Sequence, residues 1–285
     1  MIRIELAAWC DRGQKRELNE DRVFYQLLAA SDADPIAVCM VADGMGGHLA
    51  GEVASHWAIE TLKRGLADLF VPADPRQTVP MRAAHVQAAL ASVGSGGHAS
   101  DMVIMQHVRE AVSQANVAVR QYTLHRPSEA FGAGSTITLA LLKGTRVYVA
   151  NVGDGRAYLF RGGRLVQLTR DHSLVADLVA SGRLSLADSF THPQAGTITR
   201  CLGCRQEIEV DIEPHTLQPD DILLLCSDGL WSMLRDPRTM SRLLRRADNL
   251  QEAAQTLVDA ANRVGGDDNI AVGLMRIVAE RDLPD

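Results

Sequence analysis

Apolar and polar positions alternate loosely over residues 2–9, and short apolar runs follow at 23–28 and 36–42. Runs of this length, bounded by polar residues, predict three strands. Over 50–70 the spacing becomes that of a helix, with Val53, Trp57, Leu62, Leu66 and Leu69 forming one apolar stripe. Residues 71–80 carry three prolines, 81–91 read as a short helical piece, and Gly94, Gly96 and Gly97 mark a loop. The stretch 102–124 is helical again, placing Val103, His107, Val108, Ala111, Val112, Ala115 and Val119 on one side. Two long helices adjacent in sequence predict an antiparallel pair.

The period returns to that of strands at 136–142, 146–152, 156–160 and 164–168, with short Gly-containing turns at 143–145 and 161–163. Connections this short exclude parallel crossovers, so an antiparallel meander is expected. Residues 172–203 mix a short helix with turn formers and read as an excursion from the core. A strand at 222–226, a helix at 250–264 and a strand at 269–278 follow. Helices grouped in sequence, not alternating with each strand, argue for an α+β fold over a doubly wound parallel sheet. No linker of distinct composition divides the chain, so residues 1–285 read as one domain.

Composition changes this picture little. With 46% hydrophobic and 22% charged residues the chain has the make-up of an ordinary globular protein. A net charge of -6 gives no electrostatic ground for binding nucleic acid and suits a protein that gathers cations. The first ten residues lack the basic start and apolar run of a signal peptide, and no stretch approaches the ~20 apolar residues that span a bilayer. A cytoplasmic protein without membrane attachment is therefore expected. Cys10, Cys39, Cys201, Cys204 and Cys226 are odd in number and scattered, unlike a disulfide framework. Cys201 and Cys204 form a lone C-x-x-C, read as plain structural or surface thiols.

Candidate chemistry gathers at strand ends. Three apolar strands run into Asp43-Gly44, Gly153-Asp154-Gly155 and Ser227-Asp228-Gly229, and two others begin directly after Glu20-Asp21 and Asp267-Asp268-Asn269. In an antiparallel sheet a strand that starts at one rim and a strand that ends there run in opposite directions, so all five acidic sites are compatible with one rim. Asp-Gly is also good turn chemistry, and for any single pair that reading prevails. Five acidic sites in one consistent context reverse it. Carboxylates brought close repel, and either take up protons or are neutralised by cations. Hard divalent ions such as Mg²⁺ and Mn²⁺ prefer carboxylate, carbonyl and water. Arg16 supplies a planar cation suited to a phosphate group, although alone it reads as a surface arginine. Gly44, Gly46 and Gly47 lead through His48 towards a helix, but Leu49 breaks a G-x-G-x-x-G pattern and no G-K-[ST] loop exists, so nucleotide binding is unsupported. Two cations ~4 Å apart, sharing one activated water, would suffice for hydrolysis of a phosphate ester without a covalent intermediate.

Seven motifs stand in a recognisable order: Arg16-Glu17-Leu18-Asn19-Glu20-Asp21, Val41-Ala42-Asp43-Gly44-Met45-Gly46-Gly47-His48, Gly134-Ser135-Thr136, Asn151-Val152-Gly153-Asp154-Gly155-Arg156, Leu168-Thr169-Arg170-Asp171-His172, Ser227-Asp228-Gly229-Leu230-Trp231 and Asp267-Asp268-Asn269-Ile270. In this the chain resembles the metal-dependent protein phosphatases of type 2C, especially their single-domain bacterial members. The resemblance implies a four-layer α/β/β/α sandwich of two antiparallel sheets flanked by helices, with a flap at about 172–203. It implies that Asp43 bridges two metals, that the Gly44 carbonyl binds one, and that Asp228 and Asp268 complete the other. It further implies that Glu20 and Asp21 hold metal-bound waters, that Arg16 binds the substrate phosphate, and that Asp154 with Asp228 holds a third, weaker ion. The implied activity is Mn²⁺- or Mg²⁺-dependent hydrolysis of phosphoserine and phosphothreonine in proteins, by a monomer opposing a bacterial Ser/Thr kinase.

The pattern is not matched everywhere. Met45 replaces a histidine that serves as general acid in animal relatives. His48 is the nearby substitute, with a structural role standing equally beside it. Gly155 stands where many relatives have Ser, an exchange expected to loosen that turn. Asp171-His172 read as a turn at the flap base. Arg235, Arg238, Arg242, Arg245 and Arg246 read as a solvated helix face sooner than a docking site. Two rival functions remain at this point: a non-catalytic phosphoprotein-binding domain, which loss of the carboxylates or Arg16 would have marked, and a hydrolase of small phosphate esters.

Overall fold

The computed structural model describes residues 2–28, 35–46, 50–67, 98–128, 130 and 132–279. Among these, one antiparallel sheet has the order β1 (Ile2–Asp11), β11 (Ile270–Ala279), β10 (Ile222–Cys226), β7 (Arg156–Arg161), β8 (Arg164–Gln167). A second has the order β2 (Asp21–Leu28), β3 (Ile36–Met45), β5 (Ile137–Lys143), β6 (Arg146–Val152), β9 (Asp211–Thr216), with the short β4 (Gly134–Ser135) paired to the end of β3.

The central strands are apolar on both faces because both are covered. Ala37, Cys39 and Val41 of β3 share a core with Leu223 and Leu225 of β10 and with Ala271 and Met275 of β11, which joins the two sheets. The alternate residues Val38, Met40 and Ala42 pack instead with α1 (Ala50–Gly65) and α2 (His98–His125). On the far side, Ile222, Leu224 and Cys226 meet α6 (Pro237–Arg246) and α7 (Leu250–Val264). Burial on both faces gives near-continuous apolar runs, which is how these strands appear in the sequence. The result is the expected α/β/β/α layering.

Local signals set the helix starts. Asp236 accepts a hydrogen bond from the Arg238 N–H ahead of Pro237, and Asn249 accepts one from the Glu252 N–H. Helices α1 and α2 run antiparallel: the end of α1 at Gly65 meets Ala111, while its first residue, Ala50, clusters with Tyr122 near the end of α2. Asp101 ties α2 to β6 by accepting from Arg146 at 2.6 Å and from the Tyr148 hydroxyl at 2.7 Å. No helix among the described residues is long and apolar enough to cross a membrane.

Two expectations need correction, and one strand is an addition. The four strands between 136 and 168 are not one meander: β5 and β6 pair in one sheet, β7 and β8 in the other. The chain changes sheets at Gly153-Asp154-Gly155, where Gly153 has φ 114 and a Cβ would lie 2.5 Å from the Thr136 side chain. Cys201 and Cys204 are not free thiols but a disulfide, because the Gly203 turn brings their Cα atoms to 5.6 Å. Strand β9, unforeseen in the sequence, contains Pro214, which an edge position tolerates. The proline-rich stretch, the helical piece at 81–91 and the glycine loop at 94–97 lie outside the described residues.

Leu224 is fully buried between β10 and the helical layer. Leu224→Ala is expected to cost about 2–5 kcal/mol in urea unfolding, and wild-type stability in that variant would remove the residue from the core described here.

Candidate active site

The acids approach one another from both sheets. Asp43, near the end of β3, stands opposite Asp21, the first residue of β2. Thr136 brackets Asp43, its N–H donating to the Asp43 carbonyl at 2.8 Å and its hydroxyl accepting from the Asp43 N–H at 3.0 Å. At Gly44 a Cβ would lie 2.0 Å from the Gly51 carbonyl oxygen and 2.8 Å from that of Glu20. Only glycine lets the end of β3, the approach to β2 and the start of α1 meet there.

The sheet that contains β10 and β11 contributes Asp228, at the start of α5 (Asp228–Trp231), and Asp268, two residues before β11. The Ser227 hydroxyl donates to Asp21 Oδ2 at 2.6 Å and accepts from the Ala271 N–H at 2.9 Å, so one side chain joins the two sheets. Asn269 is a second latch: its Oδ1 accepts from the Glu20 N–H at 2.8 Å and its Nδ2 donates to the Arg12 and Leu18 carbonyls at 2.8 Å. Asp154 enters from the crossover between sheets, where its carbonyl accepts from Trp231 Nε1 at 2.9 Å.

This crowding disfavours ionisation. Burial, then repulsion from Asp21, Asp228, Asp154 and Asp268, raises the Asp43 carboxyl well above its usual range. Burial likewise raises Asp21, reinforced by Asp228 and Asp268 and opposed by the Ser227 hydrogen bond. Asp154 is raised by burial and by Asp228, and Asp228 is pushed up to about 6 by burial and by Asp268. Glu20 is raised mainly by burial. Four oxygens at this rim, Glu20 Oε1, Asp21 Oδ1, Asp154 Oδ1 and Asp228 Oδ1, are buried without a hydrogen-bond partner. Such orphans are costly unless something neutralises them, and hard cations fit them. Among the described residues no three His, Cys, Asp or Glu side chains form a ready chelate.

Arg16 reaches the same place. Its Nη2 lies 2.7 Å from Asp268 Oδ2, with half of the side chain exposed. Burial works against its charge, yet Asp268, Glu20 and Asp228 together raise its pKa. Arg16, Glu20, Asp21, Asp43, Gly44, Asp154, Asp228 and Asp268 thus come together, whereas His48 lies outside the described residues. The sequence reading quoted Thr136, Ser227 and Asn269 without giving them work. For Ser227 and Asn269 the available signal was a small polar residue beside Asp228 and Asp268, whereas Thr136 flanks no acid in the sequence.

The segment 172–203, expected to be a flap, carries α3 (Leu174–Ala180) and α4 (Leu186–Ser189). At its base Asp171 accepts from Arg156 Nε at 2.9 Å and Nη2 at 2.6 Å, and the Arg156 guanidinium lies 3.6 Å from the Trp231 ring centre. His172 Nδ1 accepts from the Gly153 N–H at 3.1 Å, leaving Nε2 to donate to Asp211 at 3.1 Å. Both residues therefore hold a turn. At Gly155 a Cβ would lie 2.5 Å from Thr138 Oγ1, so glycine tightens this corner where loosening was expected. Between flap and α5 opens a cavity of about 470 Å³, whose lining includes Asp154, Asp228, Phe190 and Arg235.

The family model for protein phosphatase 2C matches residues 12–261. The chain belongs to that family. This phosphatase is 35% identical over 275 residues to the serine/threonine phosphatase stp of Listeria monocytogenes, covering 96% of this chain and 94% of that protein. The structure of the S. agalactiae serine/threonine phosphatase superposes with a TM-score of 0.78 at 28% identity, over 97% of this chain and 100% of the other. The catalytic domain of the phosphatase PstP, crystallised with two manganese ions, gives 0.73 at 30% identity over 98% and 100%. The enzyme class follows: a protein serine/threonine phosphatase of α+β fold.

The raised carboxyls have a consequence for stability. Asp228 moves from 3.8 to about 6, so the folded state binds its proton more tightly than the unfolded chain does. Its ionisation therefore removes stability as pH rises through that window, and protonation restores it as pH falls. In chelator, the phosphatase is expected to melt at a higher temperature at about pH 5 than at about pH 7.5, with Mn²⁺ stabilising more at the higher pH. Thermal melts at both pH values test this, and the opposite order would contradict the arrangement of acids.

Proposed function

We propose that this phosphatase hydrolyses phosphoserine and phosphothreonine in proteins using two divalent cations, Mn²⁺ or Mg²⁺, with a third held more weakly. The observation that carries the reading is the convergence of acids from both sheets with four buried carboxylate oxygens left unpartnered. Asp43 is assigned to both principal ions, the Gly44 carbonyl to one, and Asp228 and Asp268 to the other. Glu20 and Asp21 act through water, and Asp154 with Asp228 takes the third ion. When bound, the ions supply a nucleophile at neutral pH and positive charge for the transferring phosphoryl group.

The chain's own groups orient and hold. Ser227 fixes the carboxylate of Asp21, Asn269 fixes the backbone at Glu20, and Thr136 fixes that at Asp43. Arg16 already has its guanidinium at the rim and is assigned to the substrate phosphate, where planar paired donors match phosphate oxygens. Met45 carries no exchangeable proton, so His48 is the candidate for protonating the leaving oxygen. Residues 1–285 act as one catalytic unit with the flap at 172–203. The setting that best suits it is cytoplasmic, as a monomer acting on the targets of a cognate Ser/Thr kinase.

Hydrolysis of a phosphothreonine peptide is expected with Mn²⁺ and is expected to vanish with chelator; turnover indifferent to metal would sink the reading. Asp43→Asn and Asp228→Asn should each lower kcat at least about a hundredfold while circular dichroism shows the fold retained. Near-normal rates in either would reject its role. Arg16→Ala should raise KM for phosphopeptide about tenfold, and an unchanged KM would place the phosphate elsewhere.

A further inference from the structure

Helix α6 presents arginines along one side only. At 3.6 residues per turn, Arg238, Arg242, Arg245 and Arg246 occupy about 100° of its circumference. Met240, Ser241 and Leu244 are buried on the other side. All four arginines are exposed. Arg242 donates only to the Thr239 hydroxyl at 3.0 Å, and no ion pair engages Arg238, Arg245 or Arg246 among the described residues. Of the nearby acids, Asp236 caps α6 and Glu252 accepts from the Asp248 N–H, and among the described residues none of Asp236, Asp248 and Glu252 forms an ion pair with these arginines. Elsewhere Arg16, Arg146, Arg156, Arg161, Arg200 and Arg276 each engage a carboxylate. In a chain of net charge -6, a stripe of unspent cations is a local inversion of the overall field.

The stripe also has a direction. Arg235, just before α6, stacks over Phe190 of the flap at 5.0 Å and lines the cavity that Asp154 and Asp228 also line. At the other end Arg245 lies beside the β7–β8 turn at Gly163, with exposed Arg164 next to it. A path of positive charge therefore leads from the candidate active site outward along α6.

We propose that α6 is a docking surface for an anionic segment of the protein substrate, rich in Asp, Glu or further phosphoresidues, that lies to one side of the residue being dephosphorylated. The inference rests on the phosphatase reading above. Ten helical residues span about 15 Å, which an extended chain covers with about five residues, so the segment has about that length. Exposed ion pairs are individually weak, but a row of them acts jointly on encounter and is sensitive to salt.

The test uses two phosphothreonine peptides identical around the phosphate, one ending in a glutamate run of that length and the other in serines. The wild-type enzyme is expected to favour the acidic peptide about tenfold in kcat/KM, through KM, with the advantage shrinking at high salt. The triple variant Arg238→Glu, Arg242→Glu, Arg245→Glu should lose that preference while turnover of the serine peptide and of p-nitrophenyl phosphate stays unchanged. The Arg→Gln triple variant guards against misfolding and should show a smaller loss of the same kind. Binding of the glutamate run alone, without phosphate, is read by fluorescence anisotropy and does not depend on catalysis. Absence of turnover in the wild type would therefore strike the phosphatase reading, and absence of binding would strike the docking surface. Equal losses on both peptides, or tighter binding of a short DNA duplex than of the glutamate run, would also overturn the proposal.

Discussion

Repulsion among carboxylates at the shared rim of two sheets is the constraint around which this molecule is organised. Two unit charges about 4 Å apart repel by about 4 kcal/mol at an effective dielectric near 20, and a domain has only about 5–15 kcal/mol of net stability. Several such pairs left uncompensated would rival everything the core supplies. Burial and mutual repulsion raise these carboxyls, so protonation relieves part of the repulsion and bound cations would relieve the rest. Ser227, Asn269 and Thr136 make sense in that light. Ser227 donates to the Asp21 carboxylate, while Asn269 and Thr136 accept from the backbone N–H groups of Glu20 and Asp43, so each fixes an acidic turn and the acids cannot relax apart.

The same logic links the flap to the rim. Arg156 enters at the head of β7, opposite Cys226 at the end of β10, and its guanidinium grips Asp171 while lying against Trp231. Trp231 in turn donates to the Asp154 carbonyl. One cation thus joins the base of the flap to the helix that begins with Asp228, using charge-assisted hydrogen bonds and stacking. Side chains that carry no chemistry decide how the flap is seated beside those that do.

Much of this was legible in the sequence, for identifiable reasons. Strands β6 and β10 and helix α7 have the bounds read from their apolar runs, because the polar breaks around them coincide with real turns. The acids were legible because each stands at a strand end. What stayed hidden was non-local. Periodicity reveals the hairpins β5–β6 and β7–β8 but not that the chain changes sheets between them at Gly153. Counting cysteines says nothing about the turn that unites Cys201 and Cys204. The latching roles of Ser227 and Asn269 depend on partners 206 and 249 residues away, Asp21 and Glu20, which no local pattern encodes.

Strand β11 lies between β1 and β10, although every other described strand and helix precedes it in the chain. Among the described strands, β1 finds its ladder partner in β11 alone. Residues 2–11 therefore cannot complete their ladder until residues 270–279 are available, and Asp268 and Asn269 arrive with that partner. A polypeptide without residues 268–279 lacks both the strand that flanks β1 and β10 and part of the acidic cluster, so the rim assembles only late in folding.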